Sequence, residues 1–185
     1  MSFKHQIPNI LTISRVAATL PIAMIFAISY EIWAYASVIV LFTYACATDF
    51  VDGYLSRKWN CVTNIGRLLD PIADKLLVAV VLVMLVPAGV NAVAVALIMV
   101  RELFISGLRE FMQETGAIIH VSSLAKWKTA MQMLACCVFL LAGIVPNEPL
   151  IAMIAQALLW IATILTLFTG GEYLRGALKQ LNNAG

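Results

Sequence analysis

Apolar residues run along this chain in six long stretches, near 12–29, 33–55, 68–86, 90–112, 124–145 and 150–172. Short polar or turn-forming segments separate them. A helix needs about 20 mainly apolar residues to cross the hydrocarbon core of a bilayer, and each stretch is close to that length. The pattern predicts an all-α, polytopic membrane protein: a six-transmembrane-helix bundle with a short N-terminal juxtamembrane helix. Ile7-Pro8-Asn9 reads as a break before the first span, because proline is best tolerated in a helix's first turn. The second stretch meets no breaker until about Arg57, and 58–65 is the first real polar connector. The third span is expected to open at Gly66, residues 114–123 to form a loop, and Gly170-Gly171 to loosen the end of span six. No internal repeat or low-complexity segment divides residues 1–185, so one domain is expected.

Composition agrees. Of 185 residues, 62% are hydrophobic and only 12% charged, with a mean hydropathy of +0.94; soluble domains carry about twice that charge. The net charge of +2 says little, but its distribution is decisive. The connections at 30–32, 87–89 and 146–149 hold no lysine or arginine. All 12 basic residues lie on the other side of the predicted spans. The positive-inside rule makes that side cytoplasmic, with both termini there. No cleavable leader is expected, because Pro8, Asn9 and Arg15 interrupt the first apolar run. Cys46, Cys61, Cys136 and Cys137 show no zinc spacing and read as structural thiols, His5 and His120 as loop residues. No nucleic-acid partner is expected.

Four aspartates disturb this apolar pattern: Asp49, Asp52, Asp70 and Asp74. A carboxylate at membrane depth costs at least about 2.5 kcal/mol on insertion scales, and four together repel. Asp49 and Asp52 are three residues apart and Asp70 and Asp74 four, so each pair shares a helix face. Gly66 continues the second stripe, and Gly53 and Arg57 continue the first. Facing carboxylate pairs suit one or two Mg²⁺ or Mn²⁺ ions, two being the expectation, which commonly bridge to substrate phosphates. Arg57 is placed to meet a diphosphate. The plainer alternative is a set of intramembrane salt bridges, such as Asp49 or Asp52 with Arg57 and Asp70 with Arg67.

Taken together, Asp49, Asp52, Gly53, Ser56, Arg57, Gly66, Asp70 and Asp74 resemble the signature D-x-x-D-G-x-x-A-R-x(8)-G-x(3)-D-x(3)-D of the CDP-alcohol phosphatidyltransferases. Ser56 stands where that family has alanine. The resemblance implies that Asp49, Asp52 and Asp70 bind metal, and that Asp74 is the general base and also touches a metal. It further implies that Asp49, Gly53, Ser56, Arg57, Gly66 and Asp70 bind the CDP moiety. Dimers are usual in the family, so a homodimer is expected. The setting it implies is the bacterial cytoplasmic (inner) membrane, with the active site on the cytoplasmic side. No Ser–His or Cys–His pair is evident, which favours direct displacement over a covalent enzyme intermediate.

A second cluster concerns the acceptor. Arg101 and Arg109 lie eight residues apart, about two turns on one helix face, and Lys126 and Lys128 open span five. Four cations on one side form a candidate clamp for an acceptor that carries phosphate, although Arg101 has carboxylates within reach to pair with. The segments IPNILTISR, LDPIADK, RELFISGLRE and KWKTAMQM resemble family members that join CDP-diacylglycerol to sn-glycerol 3-phosphate, which makes those two the expected substrates. The nearest rival acceptor is phosphatidylglycerol, as in CDP-diacylglycerol-using cardiolipin synthases. A divalent-cation carrier is the non-enzymatic alternative; it would want polar residues continuing past Asp74, where the third span is apolar.

Overall fold

The computed structural model describes residues 3–59, 64–114 and 124–184, with side chains for 10–49, 51, 72–114 and 127–182. Six α-helices follow one another: α1 (Phe3–Ile28), α2 (Ile32–Trp59), α3 (Asn64–Leu85), α4 (Ala92–Glu114), α5 (Leu124–Ile144) and α6 (Pro149–Ala184). The one other regular element among the described residues is a 3₁₀ turn at Val86–Ala88. The six apolar runs therefore correspond one to one with helices.

Four local expectations are corrected. Residues 3–28 form a single helix, so no separate juxtamembrane helix precedes α1, and His5 lies in its first turn rather than in a loop. Pro8 sits near the helix's free end, where little of the hydrogen-bond ladder is lost. Gly170-Gly171 does not loosen α6, which continues to Ala184. A Cβ on Gly170 would lie 2.8 Å from Arg101 Nε; the glycine is there to let the arginine cross. The helical part of α2 also reaches Trp59, two residues into the expected connector. His120, Cys61 and most of the expected 114–123 loop lie outside the described residues.

The helices pack in the ring α3–α1–α2–α5–α6–α4, and the ring closes between α4 and α3, where packing is thin. Inward stripes follow helical periodicity: Ala34, Val38, Phe42 and Ala45 on α2, and Leu77, Val81 and Leu85 on α3, all buried. Cys136 is buried in the same core, and Cys46, Cys136 and Cys137 are free thiols. Outward positions carry Leu20, Met24, Val40, Leu103, Phe104, Ile164 and Phe168, all exposed. Apolar side chains on both faces mark helices whose outer solvent is lipid.

Four stretches are long and apolar enough to cross a membrane: Ile10–Ile28, Ile32–Asp49, Trp127–Ile144 and Pro149–Asn182. Charged residues also punctuate α3 and α4. Asp70, Asp74 and Lys75 interrupt α3, while Arg101, Glu102, Arg109 and Glu110 interrupt α4.

The turns opposite the aspartate end are tied down. Tyr30 Oη donates to the Met84 carbonyl at 2.8 Å, joining the α1–α2 turn to α3. Gly89 takes the left-handed conformation that ends the 3₁₀ turn, with φ of 97°. Asn91 Oδ1 then accepts from the Ala94 amide at 3.1 Å, which caps α4. Between α2 and α5, Gly143 lies against Tyr35, with no room for a methyl group: a Cβ there would sit 2.2 Å from the ring.

Candidate active site

Helices α2 and α3 carry the aspartate signature on continuous helical backbone, with Asp49, Asp52, Gly53, Ser56 and Arg57 on α2 and Gly66, Asp70 and Asp74 on α3. Among these, Asp49 and Asp74 have described side chains, and the structure brings them together. Arg15 on α1 is fully buried and lies between them. Its Nη1 donates to Asp49 Oδ1 and to Asp74 Oδ1, both at 2.7 Å. Asp49 thus pairs with Arg15; its anticipated partner Arg57 lies outside the residues with described side chains. The side-chain environments of Asp52, Ser56, Arg57, Asp70 and Lys126, and those around Gly53 and Gly66, lie outside the described residues.

Next along α3, Lys75 belongs to a second cluster. Its Nζ donates to Ser106 Oγ on α4 and lies 3.9 Å from Glu102 Oε2. Glu102, only 12% exposed, collects two more cations: Arg101 Nη1 at 3.0 Å and Lys128 Nζ, both on Oε1. Arg101 Nη2 donates to Thr169 Oγ1 at 3.0 Å, which fastens α4 to α6. Arg109 has no ion pair among the described residues and sits over the Tyr173 ring, 5.6 Å from its centroid.

These groups line one cavity of about 590 Å³ between α3, α4, α5 and α6, at the thin closure of the ring. That volume is ordinary for a small-molecule site, for which pockets run from about 300 to 1,000 Å³. Asp74 is in its wall together with Lys75, Arg101, Glu102, Arg109 and Lys128, while Val78, Ala79, Ile98 and Met99 supply apolar surface. The cavity therefore joins a carboxylate from the aspartate cluster to four cationic side chains.

Two of the anticipated clamp residues, Arg101 and Lys128, are thus committed to Glu102, and Arg109 faces the same cavity. Sequence reasoning overlooked Arg15, Glu102, Lys75 and Thr169. Arg15 had a signal: a lone cation inside the first apolar run is costly without an anion. Glu102 stands beside Arg101 in sequence, where its ability to gather cations from α3 and α5 is invisible.

The donor set fits a hard divalent cation. Asp49 and Asp74 offer carboxylate oxygens from two helices within reach of one guanidinium nitrogen, and Asp52 and Asp70 lie one helical turn away on the same two helices. Mg²⁺ and Mn²⁺ take such all-oxygen ligands.

With helices, aspartates and cavity in this arrangement, the chain belongs to the CDP-alcohol phosphatidyltransferase family, whose model matches residues 5–168. It is 41% identical to the CDP-diacylglycerol–glycerol-3-phosphate 3-phosphatidyltransferase of Rickettsia bellii, over 97% of this chain and 99% of that one. It is 37% identical to the protein of the same name from Bacillus subtilis, over 91% of this chain and 93% of the relative. The like-named protein of Pseudomonas fluorescens is 40% identical, over 97% and 94%.

Proposed function

We propose that this protein is a membrane transferase of phospholipid biosynthesis. It moves the phosphatidyl group of CDP-diacylglycerol to sn-glycerol 3-phosphate, forming phosphatidylglycerophosphate and CMP. The observation that carries this reading is the cavity, which places Asp74 in the same wall as Arg101, Arg109 and Lys128. An acceptor with a hydroxyl at one end and a phosphate at the other matches that charge pattern. Serine or choline would bring no anion to Arg109, which has no ion pair among the described residues.

In this reading Asp49, Gly53, Ser56, Arg57, Gly66 and Asp70 hold the CDP moiety at the α2–α3 end. Asp49, Asp52, Asp70 and Asp74 would hold Mg²⁺ or Mn²⁺, two ions in all, whose chemistry is to neutralise the diphosphate and stabilise CMP as leaving group. Arg109 and the Lys75–Arg101–Lys128 group bind the acceptor phosphate, and Lys126, two positions before Lys128 in the sequence, is the remaining candidate contact. That anchoring aims the primary hydroxyl at the β-phosphorus, and positioning contributes much of the rate. Asp74 takes the hydroxyl proton as the new O–P bond forms. The bond from the β-phosphorus to the bridging oxygen breaks, and CMP departs with its electron pair.

The bundle sits in the bacterial inner membrane with six spans, both termini cytoplasmic, and works as a homodimer. The 12 basic residues on one side support that orientation. Small residues in α3 to α6 support helix-mediated pairing.

The test is acceptor competition. Purified protein with Mg²⁺ and CDP-diacylglycerol should release CMP with glycerol 3-phosphate, and far more slowly with serine, inositol phosphate or phosphatidylglycerol. Equal or faster turnover with any of those overturns the acceptor assignment. Asp74→Asn should abolish turnover while sparing much of the CDP-lipid binding; an active variant removes the base.

A further inference from the structure

Arg15 is the most deeply buried charged side chain among the described residues, with 0% of it exposed. It reaches from α1, a helix that contributes nothing to the family signature. Its Nη1 carries two hydrogens and meets one oxygen of Asp49 and one of Asp74, each at 2.7 Å. Those two oxygens are therefore held no farther apart than twice that distance. Asp49 and Asp74 belong to different helices, and α2 and α3 make little contact with one another among the described residues. α1, by contrast, packs closely against both. The spacing of the two aspartate-bearing helices is set through α1, and Arg15 is the polar tie across the three.

We propose that Arg15 is a positioning residue of the active site: a built-in cation that holds Asp49 and Asp74 in register before any divalent ion binds. The inference rests on the proposed metal-dependent function for its meaning, but its geometry stands independently. Two carboxylates facing one another across a low-dielectric bundle repel, and that repulsion falls on whatever fixes α2 against α3. A guanidinium is suited to the task because it stays protonated and its donors are fixed in a plane. A bound metal would perform the same neutralisation from the cavity side, so guanidinium and metal share one electrostatic duty. Packing alone would not produce that overlap.

The overlap gives a readout other than activity. Thermal unfolding of the full chain in detergent is followed with EDTA and with saturating Mn²⁺, for the wild type, Arg15→Gln and Arg15→Gln/Asp74→Asn. In EDTA, Arg15→Gln should melt at least about 5 °C below the wild type. Mn²⁺ should recover most of that loss, giving the variant a larger metal-induced shift than the wild type. Asp74→Asn should restore stability to Arg15→Gln in EDTA by removing one of the repelling charges.

Equal metal-induced shifts in wild type and Arg15→Gln would overturn the proposal, as would a double variant no more stable than the single one. If Arg15→Gln yields no folded protein, the double variant decides: folding supports the charge role, and failure assigns Arg15 to packing. A wild type with no Mn²⁺-dependent shift would instead strike the metal reading of the proposed function. The EDTA comparison of single and double variants would still judge Arg15.

Discussion

Replacing Glu102 by alanine should disable acceptor binding more than it disables chemistry. Arg101 and Lys128 meet on the same oxygen of Glu102, and Lys75 lies 3.9 Å from the other oxygen. Two cations sharing one carboxylate oxygen are about 5 Å apart, so at an effective dielectric of 20 they repel by about 3 kcal/mol once the carboxylate is gone. Arg101 keeps Thr169 as a partner at 3.0 Å, so Lys128 is the group expected to move. Lys75 is 39% exposed, and its share of the loss is small because solvent screens it. Breaking a buried pair by removing one member costs about 3–5 kcal/mol of stability. Losing one charge-assisted contact to the acceptor phosphate, worth about 1.5–3 kcal/mol, raises the KM for glycerol 3-phosphate at least about tenfold. Initial rates of CMP release against glycerol 3-phosphate, at saturating CDP-diacylglycerol, measure it. The KM for CDP-diacylglycerol should stay within about twofold, since no part of the aspartate signature contacts Glu102 among the described residues. Glu102→Asp should recover part of the acceptor affinity. A variant that loses stability but keeps its acceptor KM would refute the reasoning and reduce Glu102 to a structural ion pair.

Three further outcomes follow from the same packing. Arg109→Gln should raise the acceptor KM about tenfold with little change in melting temperature, because Arg109 has no ion pair among the described residues and its contact is the Tyr173 ring. Gly170→Ala places a methyl 2.8 Å from Arg101 Nε; the arginine must shift, and acceptor KM should rise while CDP-diacylglycerol KM holds. Gly143→Ala would put a methyl 2.2 Å from the Tyr35 ring, forcing α2 from α5 at a cost of about 1–3 kcal/mol. A melt in detergent should show that loss, largely recovered by adding Tyr35→Ala.

Much of this arrangement is written in local pattern. Apolar runs long enough to span a bilayer become helices because a buried backbone in lipid has few other ways to satisfy its hydrogen bonds. The Asp49–Asp52 and Asp70–Asp74 spacings are likewise local. Pro8 and Gly170-Gly171 leave their helices unbroken for a common reason: a breaker acts through its surroundings. Pro8 is harmless near a free helix end, and Gly170 exists to pass Arg101, which lies 69 positions earlier in the chain. The contacts that assemble the site are also long in sequence. Arg15 finds Asp74 across 59 residues, and Arg101 finds Thr169 across 68. Spacing along one helix cannot reveal such partners. A charge inside an apolar run does announce that a partner exists, and Arg15 and Glu102 both fit that rule.

The division of labour between the aspartate end and the cationic cavity is the central claim, and locating the acceptor tests it most directly. A structure determined with Mg²⁺, CDP-diacylglycerol and glycerol 3-phosphate should show the acceptor phosphate in the α3–α4–α5–α6 cavity, in contact with Arg109 and Lys128, with its primary hydroxyl turned toward Asp74. A phosphate bound outside that cavity, or bound in it with the hydroxyl turned away from Asp74, would contradict the account.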